Sequence, residues 1–372
     1  MSELTKFDHF LGYDGPAALV IREWLTPVEG PDGVVFPATF AAGEDKGKFP
    51  GGYNIDGDLN GKNVCLIDSV GSQANRIEPI FKDEKYKHLV PQIVVTAGEK
   101  EVSILEAGHR AGDALVRCSS LQQELQLAFK TLLKGDARKL AEIAPTSLVF
   151  GVWDSRDTQA KLPRVVASTI RAFDVRKLTR SAQFNPATEF VNDKLLDEPA
   201  DKATKDAYAE RGFIHVPASG SHGGIIAEGG IRRDATLGLA ALRLLFAGKD
   251  EAKTLALRRY ILGLALVAFT HNSSGYLRQG CLLVLDAEKP RAFEEVHPTG
   301  ERKPLKLSHE DALKYATAAA KDFGVGASKT VPFDKERAKK DVAGEGDTKK
   351  AKKAAKKAEA KTETPAAEEP KS

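Results

Sequence analysis

The chain has 372 residues, 42% of them hydrophobic, and 55 Lys and Arg stand against 52 Asp and Glu for a net charge of +3. That is enough apolar material for a core in one large domain or two modest ones, and too even a charge balance to settle by itself whether nucleic acid is bound. The first ten residues lack the apolar run of a signal peptide, and the longest apolar stretch, Tyr260–Phe269, is too short to span a bilayer, so a cytoplasmic protein without membrane contact is expected.

Taken in chain order, Ala17–Leu25 reads as a strand, with Gly33–Phe40 as its hairpin partner across the turn-rich TPVEGPDG. Asn63–Ile67 reads as a buried strand that runs into DSVGSQANRIEP at 68–79. There Asp68 or Ser69 can cap a helix. In that helix Val70, Ala74, Ile77 and Phe81 make an apolar stripe, and Ser69, Ser72, Gln73 and Arg76 a polar one. Gln92–Ala97 and Glu101–Leu105 pair around Gly98, and Leu121–Ile143 is a helical hairpin or a kinked helix, broken near Gly135. Leu148–Trp153 reads as a strand, and Pro163–Phe173 as a helix with proline in its first turn. Leu237–Ala247 and Glu251–Thr270 read as helices, Gly280–Leu285 as a strand, and Ser308 caps a last helix running to Phe323. Beyond Glu336 the chain is dominated by Lys, Ala and Glu, so one domain over 1–335 is expected, followed by a disordered tail over 336–372. Interleaved helices and short hairpins point to an α+β fold around an antiparallel sheet.

Three stretches carry side chains suited to a phosphate backbone. The first is the polar stripe at 69–76, where Ser, Gln, Asn and Arg replace the Glu and Lys of an ordinary wet surface. A capped surface helix is the plain alternative. The second runs from Trp153 and Arg156 through Arg164 and Arg171, cations interleaved with rings; a core tryptophan with solvent-facing arginines is the alternative. The third, His222–Asp234, is glycine-rich and carries Arg232 and Arg233, but it matches neither nucleotide-binding glycine pattern and also reads as a hairpin.

Nothing in the sequence demands chemistry. Cys65, Cys118 and Cys281 are too few and too scattered for a disulfide framework or a zinc site. Asp56–Gly61 opens like a calcium loop, but Ile67 stands where that loop needs glutamate. Ser221 and His222 lack a nucleophile elbow, and the 8 histidines lack ligand spacing. No catalytic residue, metal or cofactor is expected.

Three segments, LVIREWLTPVEGPDGVVFPATF (19–40), IDSVGSQANRIEP (67–79) and SLVFGVWDSR (147–156), together resemble one family. This is the crRNA-binding backbone subunit of type I-G CRISPR effectors, formerly type I-U, a RAMP protein of the Cascade backbone kind. The likeness covers most of residues 10–330. It implies an RRM-like, ferredoxin-type βαββαβ palm with finger insertions and a thumb hairpin; Gln92–His109 and Arg180–Gly212 are the thumb candidates. It implies copies of the subunit polymerising along one crRNA, which pairs with target DNA in antiviral defence. The other partners would be the large subunit and the crRNA-processing and capping subunit, with cleavage left to a separate helicase-nuclease. The paired-aromatic RNA-recognition signature is missing, so gripping of the sugar-phosphate is expected over stacking on the sheet. The expected RNA contacts are Arg22, Ser69, Ser72, Gln73, Asn75, Arg76, Arg156, Arg164, Arg171, Arg232 and Arg233. An alternative is a type III-like metal-dependent endoribonuclease using Asp56 or Asp58. A small-molecule enzyme built on the Gly223–Gly230 loop lacks any cofactor fingerprint.

Overall fold

The computed structural model describes residues 2–45, 49–59, 61–271 and 275–343. Its elements are β1 (Ala18–Pro27), β2 (Ile55–Gly57), β3 (Asn63–Asp68), α1 (Val70–Ile77), β4 (Ile93–Ala97), β5 (Lys100–Ser103), α2 (Gln122–Leu133), α3 (Arg138–Ile143), α4 (Thr146–Phe150), β6 (Val166–Phe173), β7 (Val175–Phe184), α5 (Lys202–Glu210), β8 (Val216–Ala227), β9 (Ile231–Gly238), α6 (Glu251–Thr270), β10 (Tyr276–Arg278), β11 (Cys281–Leu285), β12 (Ala292–Val296), β13 (Arg302–Pro304), α7 (His309–Phe323) and β14 (Lys329–Pro332).

One curled antiparallel sheet organises the molecule. Its strands run β10-β11-β1-β9-β6-β3-β2, and β12 lies against the first half of β1 with β13 outside it. Numbered along the chain, β1, β6, β9 and β12 are first to fourth, and they stand side by side in the order 4-1-3-2. Helices α1 to α4 fall between the first and second, and α6 between the third and fourth. This is the βαββαβ arrangement, extended beyond β6 by β3 and β2. The α+β palm expected from the sequence is therefore the observed architecture.

Alternation along each strand decides which face is covered. Leu19 and Ile21 of β1, Ala235 and Leu237 of β9 and Val166 of β6 join the helices in one core. The centre of that core is α6, buried all round, where Tyr260, Ile261, Leu264 and Val267 are fully covered. A second core at the other end of the same face gathers Cys65, Ile67, Ile170, Ala172, Ile231 and Leu283. The opposite face carries Val20, Arg22 and Trp24 beside Arg232, Asp234 and Thr236, all of them half-buried or exposed.

Several sequence expectations are corrected. Pro163–Phe173 is not a helix: β6 occupies Val166–Phe173, because its β-branched residues fill a slot between β3 and β9. Leu148–Trp153 is not one strand: α4 ends at Gly151, whose φ of +80 breaks the helix before a two-residue strand, Val152–Trp153. Gly33–Phe40 does not pair with β1. Val35 instead exchanges hydrogen bonds with Ile225, and Phe36 donates to the Gly280 carbonyl. A Cβ on Gly280 would come within 2.5 Å of the Phe36 ring, so close approach explains that glycine. Leu237–Ala247 begins as the end of β9 and is helical only over Leu239–Leu242.

Between β6 and β9 the chain leaves the sheet as a long hairpin, β7–β8, whose far end carries α5 and a small aromatic cluster of Phe190, Tyr208 and Phe213. From Arg176 to Phe184 β7 is almost entirely exposed, so this hairpin stands off the body. Of the two thumb candidates, Arg180–Gly212 lies in this hairpin, whereas Gln92–His109 forms β4 and β5 in a small sheet completed by β14. Residues 335–343 are helical, and Arg117 holds Asp341 at 2.8 Å, so the folded chain passes the expected boundary at 336. Most of the expected disordered tail, 344–372, lies outside the described residues.

Candidate nucleic-acid interface

The motif at 68–79 sits where β3 gives way to α1. Ser69 is the helix cap: its backbone is extended, and its hydroxyl accepts from the Ser72 amide at 3.2 Å. Ala74, Ile77 and Phe81 face the core as the apolar stripe predicts. Gln73, expected on the polar stripe, is only 6% exposed. Its amide donates to Asp68 at 2.7 Å and accepts from the Ser168 hydroxyl at 2.9 Å, so the structure places it inside rather than toward a ligand. Asn75 and Arg76 are exposed, and Ser69 and Ser72 are half-buried.

Asp68 is the hub of this end. It is 1% exposed, and three donors converge on it: Gln73 Nε2 at 2.7 Å, Arg76 Nε at 3.2 Å and Arg278 Nη2 at 2.8 Å. A buried carboxylate needs such partners to stay ionised at low cost. The result is two guanidiniums fixed beside the cap of α1. A similar unit lies along the same row of the sheet, where Glu23 and Ile170 each face Arg233 across a strand and Ile170 faces Asp68. There Glu23 holds Arg233 at 2.5 Å and Arg291 at 2.8 Å.

The end of the motif is structural. Glu78 is 1% exposed and pairs with Arg110 Nε at 2.5 Å. Burial pushes its carboxyl up to about 7, against the opposing pull of Arg110. Arg110 has a left-handed backbone, reaches the Asn75 side chain and the Gly151 carbonyl at 3.4 Å each, and stacks on the Phe150 ring at 5.4 Å. It thereby ties 68–79 to 147–156. Sequence reasoning missed Arg110, Arg278 and Arg291, since each lies outside the polar motifs and no local pattern marks it.

The remaining candidates divide into two groups. Arg164 lies against Gly151, whose added Cβ would meet the Arg164 side chain at 3.0 Å. Arg156 lies nearby in an exposed loop that Asp154 closes by accepting from the Thr158 amide at 2.8 Å and its hydroxyl at 2.6 Å. Trp153 is 55% exposed, not core, and Lys161 sits 5.4 Å from its ring. On the uncovered sheet face, Asp234 is shared by Arg22 at 3.4 Å and Arg232 at 3.0 Å. Arg232 lies over Trp24 and Phe173, and Arg171 stands directly across from it. Arg232 and Arg233, adjacent in sequence, thus point to opposite faces. Asp56 is exposed on the edge strand β2, and no group of His, Cys, Asp and Glu able to hold a metal occurs among the described residues. No helix there is long and apolar enough to cross a membrane.

Comparison with known proteins gives one family. Residues 19–177 match the family described as CRISPR-associated protein GSU0053 (Cas_GSU0053), a span that runs from β1 through α1 to the first residues of β7. No curated protein matches the chain. The matched span holds Asp68, Arg76, Arg110, Arg156, Arg164 and Arg171, while Arg232, Arg233 and Arg278 lie beyond it.

Proposed function

We propose that this chain, CRISPR-associated by its match over residues 19–177, is a noncatalytic backbone subunit that binds crRNA by its sugar-phosphate and presents the spacer to target DNA. One observation carries the reading: within the matched span, Arg76 is held exposed over buried Asp68, next to the hydroxyls of Ser69 and Ser72. Fixed cations beside small hydroxyl donors suit phosphate and ribose and carry no base preference, as a subunit serving any spacer requires. Arg156 and Arg164 extend the basic track from the same end of the sheet. The β7–β8 hairpin supplies the thumb, reaching a neighbouring copy in an open head-to-tail assembly. The type I-G assignment, with a large subunit and a crRNA-processing subunit as further partners, belongs to this proposal.

The test is co-expression with a CRISPR array followed by purification. The protein is expected to retain small RNA of array sequence, and Arg76→Ala combined with Arg156→Ala is expected to lose most of it. A wild-type protein free of RNA, or full retention by the double variant, would refute the reading. Incubating the assembled complex with complementary RNA and magnesium is expected to give no regularly spaced cuts; cuts abolished by Asp56→Ala or Asp58→Ala would make it a ribonuclease.

A further inference from the structure

We infer that Arg278 is a second guanidinium of a single phosphodiester seat, closing with Arg76 on the same backbone phosphate; the inference rests on the RNA-binding reading above. Arg278 comes from the β10–β11 hairpin, roughly 200 residues after Arg76 in the chain, and it is no part of the matched span. Its Nη2 is anchored on Asp68 Oδ1 at 2.8 Å, while Arg76 Nε is anchored on Oδ2 at 3.2 Å. Two guanidiniums on one carboxylate leave an excess positive charge and unused N–H groups. Nη1 of Arg278 is buried and has no hydrogen-bond partner. The Cys281 thiol interacts with the Arg278 side chain, but burial pushes that thiol up to about 11, and a neutral thiol is a weak acceptor.

Nη1 itself is covered, so the donors a ligand meets are those on the exposed parts of Arg76 and Arg278, and two guanidiniums on one anchor match the geometry of a tetrahedral oxyanion. The ordering has already been done: Gln73, locked between Asp68 and Ser168, stiffens the carboxylate on which both arginines rest. Both side chains keep solvent access, 37% for Arg76 and 24% for Arg278, so a strand can reach them. The ligand class is a phosphodiester of a single-stranded RNA, read without regard to base.

The experiment measures binding of a mixed-sequence single-stranded RNA to the full chain freed of RNA, over a series of salt concentrations. Arg278→Ala is expected to weaken binding by about ten- to a hundred-fold and to reduce the salt slope by less than the ~0.7 share of one phosphate on a single strand, since Arg76 still faces it. Arg76→Ala is expected to do the same, and the double variant to lose less affinity than the product of the two but the full ~0.7 of slope. Arg302→Ala removes an equally charged but distant arginine, paired to Glu294 on the sheet edge, and is expected to change neither quantity. Arg278→Lys keeps the charge, so its slope is expected to stay while affinity falls; it decides the matter should the alanine variant not fold. Wild-type affinity and slope in Arg278→Ala, or weaker binding at an unchanged slope, would overturn the seat while leaving the function standing. Absence of RNA binding by the wild type would remove the function itself.

Discussion

At the scale of single residues, the two motif segments owe their mutual position to Arg110. It is 4% exposed and touches Glu78, Asn75, Gly151 and Phe150. Removing one member of a buried pair leaves the other without compensation, which costs about 3–5 kcal/mol. Arg110→Ala is therefore expected to lower the urea midpoint sharply while leaving the salt slope of RNA binding alone, the reverse of the Arg76 variants. A second residue-scale prediction concerns His309. Its Nε2 meets the Tyr86 hydroxyl at 2.8 Å and its Nδ1 the Thr270 hydroxyl at 2.9 Å. Thr270 already donates to the Leu266 carbonyl, so Nδ1–H donates to Thr270 and Nε2 accepts from Tyr86. That arrangement suits the neutral ring, and burial together with neighbouring His271 and Lys85 lowers its pKa from 6.5. The unfolded chain then binds the proton more readily, so stability is lost as pH falls through 6.5 and below. Melting temperatures of wild type and His309→Gln, compared from pH 8 to pH 5, are expected to converge toward the acid end.

At the scale of elements, α6 and α7 pack unusually close, and Gly263 permits it. A Cβ there would stand 2.8 Å from Ala316 Cα, backbone that cannot yield cheaply. Gly263→Ala gains helix propensity but overpacks the core, and a net loss of about 1–3 kcal/mol is expected in denaturant titration. The β7–β8 hairpin sets the opposite case. Replacing residues 185–215 by a short turn is expected to leave the melting temperature within a few degrees, because little of that arm is packed on the body. On the proposal above, the same deletion abolishes ordered assembly along RNA, which sizing of the complex would show. The elements legible in the sequence were those with strong local signals: α6 by its length and apolar run, α7 by its Ser308 cap, β4 and β5 by Gly98 between them. Misreadings fell where tertiary context rules. The stretch Pro163–Phe173 has a helical start signal and alanines, yet neighbouring strands claim it. The site was legible in part. Ser69, Ser72 and Arg76 follow from helical spacing, but the burial of Gln73 follows from Ser168, and the place of Arg278 from a hairpin far down the chain, neither of which spacing can reveal.

At the scale of the whole molecule, the modest net charge of +3 hides its distribution. Acid-centred arginine units at Asp68 and Glu23 share the covered side of the sheet, while Arg22, Arg171 and Arg232 hold the other. RNA retention by the wild type is expected to fall steeply between low and physiological salt, and a flat response would contradict backbone gripping. The 4-1-3-2 strand order also has a kinetic consequence. β1 is made long before all three strands that flank it, β9, β11 and β12. Roughly 200 residues separate it from β9, so at about 5–20 residues per second a ribosome needs on the order of 10–40 s to deliver a partner. Through that interval the apolar side of β1 is exposed with no sheet to join, and the palm can close only once β12 has been made. The nascent chain is thus the state most open to aggregation, and slower elongation should lengthen that window rather than relieve it.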